Sequence, residues 1–182
     1  FYYLPKIIKA AKLGDAAILK VIINILIKEK IKVISSNYYN PELTLSKGFY
    51  TKLKPSKIDL LSINKGIKSL KKINPHNHVQ GLIIKGSKII AEEKIYGTKK
   101  MLQTVNKNRN PQGILIKFPK KKQDLRVDLP TIGFNTLKDC KKSQIKGIVL
   151  KSKQNIFMNK SKCIKFANKN KIFIMVKWKK FL

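Results

Sequence analysis

Apolar and polar positions follow two rhythms along this chain, and the switches between them mark its elements. From Ala16 to Ile27 the residues are almost all apolar, broken only by Lys20 and Asn24. That run is too short to span a bilayer and reads as a largely buried helix. Gly14-Asp15 offers an N-cap, so the spacing predicts a helix over about 16–30, followed by a short strand at Ile31–Ser35. A loop-like connector runs from Asn40-Pro41 to Lys54-Pro55. Ser56 with Asp59 then forms a capping-box pattern for a helix that should stop before Asn74-Pro75.

Beyond that point the period shortens. Val79–Lys85 and Lys88–Glu93 flank the turn residues Gly86-Ser87 and predict a hairpin. A helix is expected from Thr98 to about Asn106, a strand from Gly113 to Phe118, and a basic loop at Pro119-Lys120-Lys121-Lys122. A helix over about 135–143 should lead to a strand at Gly147–Lys151. A second hairpin arm at Ile156–Met158, a helix over about 161–169 and a strand at Lys171–Lys177 complete the pattern. Strands alternating with helices place the chain in the α/β class. A boundary near residues 74–77 divides it into 1–75 and 76–182.

One stretch carries polar chemistry on a strand-like pattern. In Gln123-Asp124-Leu125-Arg126-Val127-Asp128-Leu129-Pro130-Thr131-Ile132-Gly133, a period of two sets Asp124, Arg126 and Asp128 on one side. Leu125, Val127 and Leu129 fall on the other. A helix would throw Arg126 away from the two aspartates, and Pro130 biases Leu129 away from helical angles, so an extended strand is expected. Two carboxylates flanking a guanidinium are costly to bury unless they are paired or hold a ligand.

Composition limits the function classes. The 182 residues are 43% apolar and 27% charged, as in a globular protein able to bury a core. The net charge of +32 would suit nucleic acid or an anionic membrane, but all of the 41 basic residues except Arg109 and Arg126 are lysine, spread over the whole length. No helix-turn-helix, zinc finger or aromatic RNA-binding motif accompanies them, so no nucleic-acid partner is expected. Cys140 and Cys163 stand far apart without a CxxC pattern and read as free cytoplasmic thiols. Phe1-Tyr2-Tyr3 opens the chain without an initiator Met or a signal-peptide pattern, which marks it as an expected fragment.

No Ser/His/Asp arrangement, P-loop or GxGxxG appears, and His76-Asn77-His78 has the look of surface histidines rather than a zinc site. What remains is Asp124, Asp128 and Glu93, with Lys117, Lys120 and Arg126 near them in sequence. Carboxylates with an open water shell suit Mg²⁺ or Mn²⁺, and adjacent cations suit phosphate. Pattern alone leaves two readings open. One is metal-assisted phosphoryl chemistry; in the other, Asp124 and Asp128 pair with Arg126 or cap the turn at Pro130 while Lys117 and Lys120 are solvated.

The run from Lys117-Phe118-Pro119 through Asp124-Leu125-Arg126-Val127-Asp128-Leu129-Pro130-Thr131-Ile132-Gly133 resembles the signature of the LpxI-type UDP-2,3-diacylglucosamine pyrophosphatases of lipid A biosynthesis. The resemblance extends through Thr136, Gly147-Ile148 and Phe173, and back through Gly97-Thr98, Glu93 and Gln80 to Gly14-Asp15. It implies an incomplete Rossmann-like N-terminal part followed by a mixed α/β C-terminal catalytic domain.

The same resemblance implies a cytoplasmic hydrolase, peripheral at the inner membrane of a Gram-negative bacterium, that releases UMP and 2,3-diacylglucosamine 1-phosphate with Mg²⁺ or Mn²⁺. Asp124 or Asp128 would be the essential aspartate, with Asp124, Asp128 and Glu93 around the metal. Gln80, Thr98, Lys117, Lys120, Gln123, Arg126 and Thr131 would line the cleft, a lysine-rich rim would meet anionic lipid, and the family allows a homo-oligomer. Where the family usually has Glu-Gly-Thr-Asp, this chain has Tyr96-Gly97-Thr98-Lys99. That departure keeps a degenerate non-catalytic relative in view as an alternative, and the positive charge alone keeps a basic nucleic-acid-binding module as another.

Overall fold

The computed structural model describes residues 2–77, 79–106, 112–121 and 123–178. It is a mixed α/β protein that divides into two compact units, one formed by 1–41 with 123–129 and the other by 42–122 with 130–182.

The first unit is helical. Helix α1 (Leu4–Ala11) packs on α2 (Asp15–Lys28), and the Tyr3 hydroxyl donates to the Glu29 carboxylate. Gly14 caps α2 through its backbone, so Asp15 is the first helical residue rather than the cap. The expected strand at Ile31–Ser35 does not form: a strand needs a ladder partner, and none pairs with it among the described residues. Instead Ser35 caps the short helix α3 (Ser36–Tyr39), accepting from the Asn37 amide.

The second unit is built on a six-stranded mixed sheet. Strands β1 (Gly48–Phe49), β2 (Gly81–Lys85), β3 (Lys88–Glu92), β4 (Ile114–Lys117), β6 (Gly147–Lys151) and β8 (Phe173–Lys177) lie in the order β1-β8-β6-β4-β2-β3. The strands β4, β6 and β8 run parallel, while β1, β2 and β3 each run antiparallel to their neighbours. Because both faces are covered, the parallel strands read as continuous apolar runs rather than alternating ones.

Helix α4 (Lys57–Asn77) lays Ile63, Ile67 and Leu70 into a cluster with Leu82, Ile84, Ile116 and Phe173. A second cluster gathers Leu102 from α5 (Gly97–Asn106), Leu137 and Cys140 from α6 (Phe134–Lys142), and Cys163 and Ala167 from α7 (Lys160–Lys169) with Ile83, Leu115, Ile148 and Ile174. Burying each such Ile or Leu is worth about 1.5–3 kcal/mol. Both cysteines are buried and free, as expected.

The division between units therefore differs from the boundary expected at residue 75. Helix α4 belongs with the sheet it covers, runs on through Pro75 to Asn77, and leaves the break between Pro41 and Glu42. Its capping box is as expected, with Asp59 N–H donating to Ser56 Oγ at 3.1 Å and Ser56 N–H to Asp59 Oδ2 at 3.0 Å. The arm at Ile156 is not a hairpin: β7 (Ile156–Phe157) pairs in parallel with β5 (Thr131–Ile132) in a separate two-stranded sheet. The side chains of His76 and His78, and the whole of Lys122 and Arg109, lie outside the described residues.

Candidate active site

The end of β4, the start of β2 and the end of β3 coincide at one edge of the sheet, where Lys117 pairs with Gly81 and Leu82 with Glu92. Open α/β sheets take ligands beyond the carboxyl ends of their parallel strands, which is this edge. Lys117, the last residue of β4, turns its ammonium into the protein and meets Glu93 at 3.0 and 3.2 Å. Both side chains are 5% exposed. Thr98, in the first turn of α5, donates to Glu93 Oε1 at 2.9 Å, and its hydroxyl also accepts from Lys117 Nζ.

Glu93 fits there because Gly81 has no side chain, since a Cβ on Gly81 would stand 2.5 Å from Glu93 Oε2. The Glu93 backbone N–H is fixed in turn by the Gly81 carbonyl at 2.9 Å. Lys117 is thus a buried, paired cation rather than a solvated one. Tyr96 and Lys99, at the departures from the family pattern, are both exposed.

Gln80 hands its backbone carbonyl to the Phe118 N–H at 2.9 Å, while its side-chain Oε1 is buried with no hydrogen-bond partner among the described residues. Beside this edge, Asn155 is 2% exposed. Its Oδ1 accepts from the Lys151 N–H at 2.8 Å, and its Nδ2 donates to the carbonyls of Lys117 at 3.1 Å and Pro130 at 3.4 Å. Lys120 is half-buried, and Thr131 lies exposed on β5, opposite Ile156.

The signature residues Gln123–Leu129 belong to the first unit, and their conformation corrects the expected strand. Residues 124–128 form a turn in which the Val127 and Asp128 N–H groups both donate to the Asp124 carbonyl, at 3.2 and 2.9 Å. Asp124 Oδ1 accepts from the Arg126 N–H at 3.0 Å, an Asx-type closure that competes with strand geometry. The Arg126 guanidinium folds back onto the same carboxylate, with Nε 3.0 Å from Oδ1 and Nη2 2.7 Å from Oδ2. The Arg126 carbonyl accepts from the Ser36 N–H at 3.2 Å.

Hydrogen bonds from the Arg126 guanidinium hold the Asp124 carboxyl below the usual carboxylate range, against the opposing effect of burial. The same contact raises Arg126. Asp128 differs, because its half-buried carboxylate accepts no hydrogen bond among the described residues. Gln123 is also half-buried.

Of the three carboxylates expected around a metal, then, Asp124 is neutralised by Arg126 and Glu93 by Lys117. Among the described residues no three His, Cys, Asp or Glu side chains come together as a metal-binding group. Of the three carboxylates, that of Asp128 is the one with no hydrogen-bond partner among the described residues. Mg²⁺ is commonly held by one or two carboxylates together with substrate phosphates rather than by an all-protein cage, so Asp128 fits that more limited role.

Residues 46–175 match the family described as LpxI C-terminal domain. The chain belongs to that family. Over 180 residues it is 28% identical to the UDP-2,3-diacylglucosamine pyrophosphatase LpxI of Caulobacter vibrioides, an alignment covering 94% of this chain and 64% of that protein. The chain therefore spans just under two thirds of the length of this curated relative. In the LpxI C-terminal domain framework, the signature segment, Glu93, Thr98 and Lys117 all fall inside the matched region.

Sequence reasoning named nearly every charged group here but missed two supporting residues. Gly81 is legible as a strand start and not as the space for a carboxylate. Asn155 sits in Lys153-Gln154-Asn155, a tripeptide with the composition of a solvated turn.

Proposed function

We propose that this chain acts as a hydrolase on a sugar-nucleotide pyrophosphate, UDP-2,3-diacylglucosamine, in lipid A synthesis, giving UMP and 2,3-diacylglucosamine 1-phosphate. The observation that carries the reading is membership of the LpxI C-terminal domain family across residues 46–175, with the Asp124-to-Gly133 signature inside the match. The activity named for the Caulobacter relative points to the same substrate.

Each residue has a role that its surroundings support. Asp128 keeps an open carboxylate to orient the attacking water and, with the substrate phosphates, to hold Mg²⁺ or Mn²⁺. Such a cation, when bound, supplies Lewis acidity and lowers the pKa of a coordinated water. Asp124 fixes Arg126 within the turn, which presents a guanidinium of defined direction to a phosphate oxygen. Lys120, Gln123 and Thr131 contribute further contacts to the substrate, and the buried Gln80 Oε1 is an acceptor awaiting a donor. Glu93 and Thr98 hold the Lys117 side chain in place at the end of β4.

The reaction belongs at the cytoplasmic face of the inner membrane of a Gram-negative cell, with the lysine-rich surface against anionic lipid. Among the described residues no helix is long and apolar enough to cross a membrane. The test is UMP release from UDP-2,3-diacylglucosamine in detergent, with Mg²⁺, Mn²⁺ or EDTA. Release that depends on a divalent cation and falls about 10²–10⁴-fold in Asp128→Asn supports the reading, and no release from the folded chain under any of these conditions removes it.

A further inference from the structure

We propose that Asn155 is a positioning residue for the signature, fixing the two backbone points between which residues 118–129 are strung. The inference rests on the hydrolase reading above for its catalytic consequence, but its geometry stands on its own. Asn155 is 2% exposed and spends its whole amide on the backbone of three separate segments. The two Nδ2 hydrogens go to the carbonyls of Lys117 and Pro130, at 3.1 and 3.4 Å, and Oδ1 takes the Lys151 N–H at 2.8 Å. The orientation of the amide is dictated, because a peptide N–H can only donate and the two carbonyls can only accept.

Those two carbonyls bracket the signature. Lys117 is where β4 ends, and Pro130 immediately precedes β5. On the entry side Phe118 is tied to Gln80; on the exit side the Ile156 N–H donates to the Pro130 carbonyl at 3.0 Å, and β5 pairs with β7 directly after Asn155. A surface turn residue would need none of this. Lys117 is held twice, by its side chain on Glu93 and by its carbonyl on Asn155. A displacement of either end would move the Lys117 ammonium and Thr131, whose side chains Asn155 itself never touches, and misplacement on the order of 1 Å costs about 100-fold in rate.

The decisive substitution is Asn155→Asp. It keeps an acceptor for Lys151 but sets carboxylate oxygens against two carbonyls. The clamp predicts trypsin cleavage between Lys120 and Arg126 accelerated about 10-fold, with cleavage at the exposed Lys94 and Lys169 unchanged. It also predicts a kcat for UMP release lowered about 100-fold with KM far less affected. Unchanged cleavage, or acceleration at all sites alike, would overturn the proposal, the second because it marks general loosening.

Hydrogen exchange on the unsubstituted chain provides a check that needs no variant. The Lys151 amide should exchange as slowly as the β4 amides, and exchange at the rate of an open loop would overturn the clamp. An unsubstituted chain that releases no UMP would remove the hydrolase reading, while the cleavage pattern and the Lys151 amide would still decide the clamp.

Discussion

Lys117 Nζ lies 3.0 Å from Glu93 Oε1, and neither side chain is more than 5% exposed. Taking two charges out of water costs several kcal/mol for each ion, which their attraction repays only with good geometry and further hydrogen bonds. Thr98 supplies one of those bonds and Gly81 the room. Losing one partner leaves the other charge buried alone. Lys117→Met should therefore cost about 3–5 kcal/mol, and the double variant Glu93→Leu/Lys117→Met should recover most of it. Urea unfolding midpoints of the two single variants and the double variant measure this coupling. Additive losses would show that the pair is not the unit.

Asp59 gives a pH-dependent contribution whose sign follows from its partners. Burial pushes its pKa up, but Lys146 Nζ at 2.6 Å and the Ser56 N–H and hydroxyl at 3.0 and 2.9 Å outweigh that and leave it below the ordinary value. A carboxyl lowered by folding stabilises above its unfolded pKa and loses that contribution as pH falls through the folded value. The contribution should be complete above about pH 4 and disappear below it. Asp59→Ala should cost about 1 kcal/mol at pH 7, the usual worth of a helix cap, and should flatten the acid limb of stability against pH. Denaturant titrations at several pH values between 2 and 7 read both effects; an acid limb as steep as that of the unsubstituted chain would place the titration on another carboxyl.

Much of the sheet was legible because Gly81–Lys85, Ile114–Lys117, Gly147–Lys151 and Phe173–Lys177 are bounded apolar runs, and burial on both faces produces such runs. The signature misled because alternation of Asp124, Arg126 and Asp128 is shared by a strand and by an Asx-closed turn. The Asp124 side-chain bond to the Arg126 N–H, with the Val127 and Asp128 N–H bonds to the Asp124 carbonyl, separates them. The β5–β7 pairing was hidden because its partners are parallel and distant in sequence, so no turn residue marks it. Asn155 was hidden for a related reason: its value lies in three backbone groups from elsewhere in the chain, and nothing local records them.

Gly147 tests how closely the sheet tolerates its own aromatic. A Cβ there would stand 2.0 Å from the Phe173 ring, an approach that a rigid buried ring cannot relieve by bending its tip. Overpacking of this kind typically costs about 1–3 kcal/mol. Gly147→Ala should lose at least that in thermal or urea denaturation, and adding Phe173→Leu should return part of it by opening space. Gly86→Ala is a useful contrast, because the site is open and only its φ of 54° opposes a side chain. That change should cost about 1 kcal/mol or less. Equal losses at the two glycines would show that the Phe173 contact is not the cause.

Asp124 and Asp128 should separate in kinetics, although they lie four residues apart in the same turn. Asp124 is committed to Arg126, a pair with side chains 32% and 41% exposed, so its loss should change stability by less than about 1 kcal/mol. Its removal releases the guanidinium but leaves it present, so Asp124→Asn should lower kcat/KM mainly through poorer phosphate contact, about 10-fold. Asp128 has an open carboxylate, and Asp128→Asn should lower kcat itself by about 10²–10⁴-fold, the range expected for a group acting on the water. Because Arg126 holds Asp124 below the usual carboxylate range, Asp124 should stay ionised as pH falls to about 4, and Asp124→Asn should leave the shape of the rate profile above that pH unchanged. Initial rates of UMP release from pH 4 to pH 8 decide between them. A larger loss of kcat in Asp124→Asn than in Asp128→Asn would reverse the two roles and make the Arg126 pair a resting state that the substrate has to open.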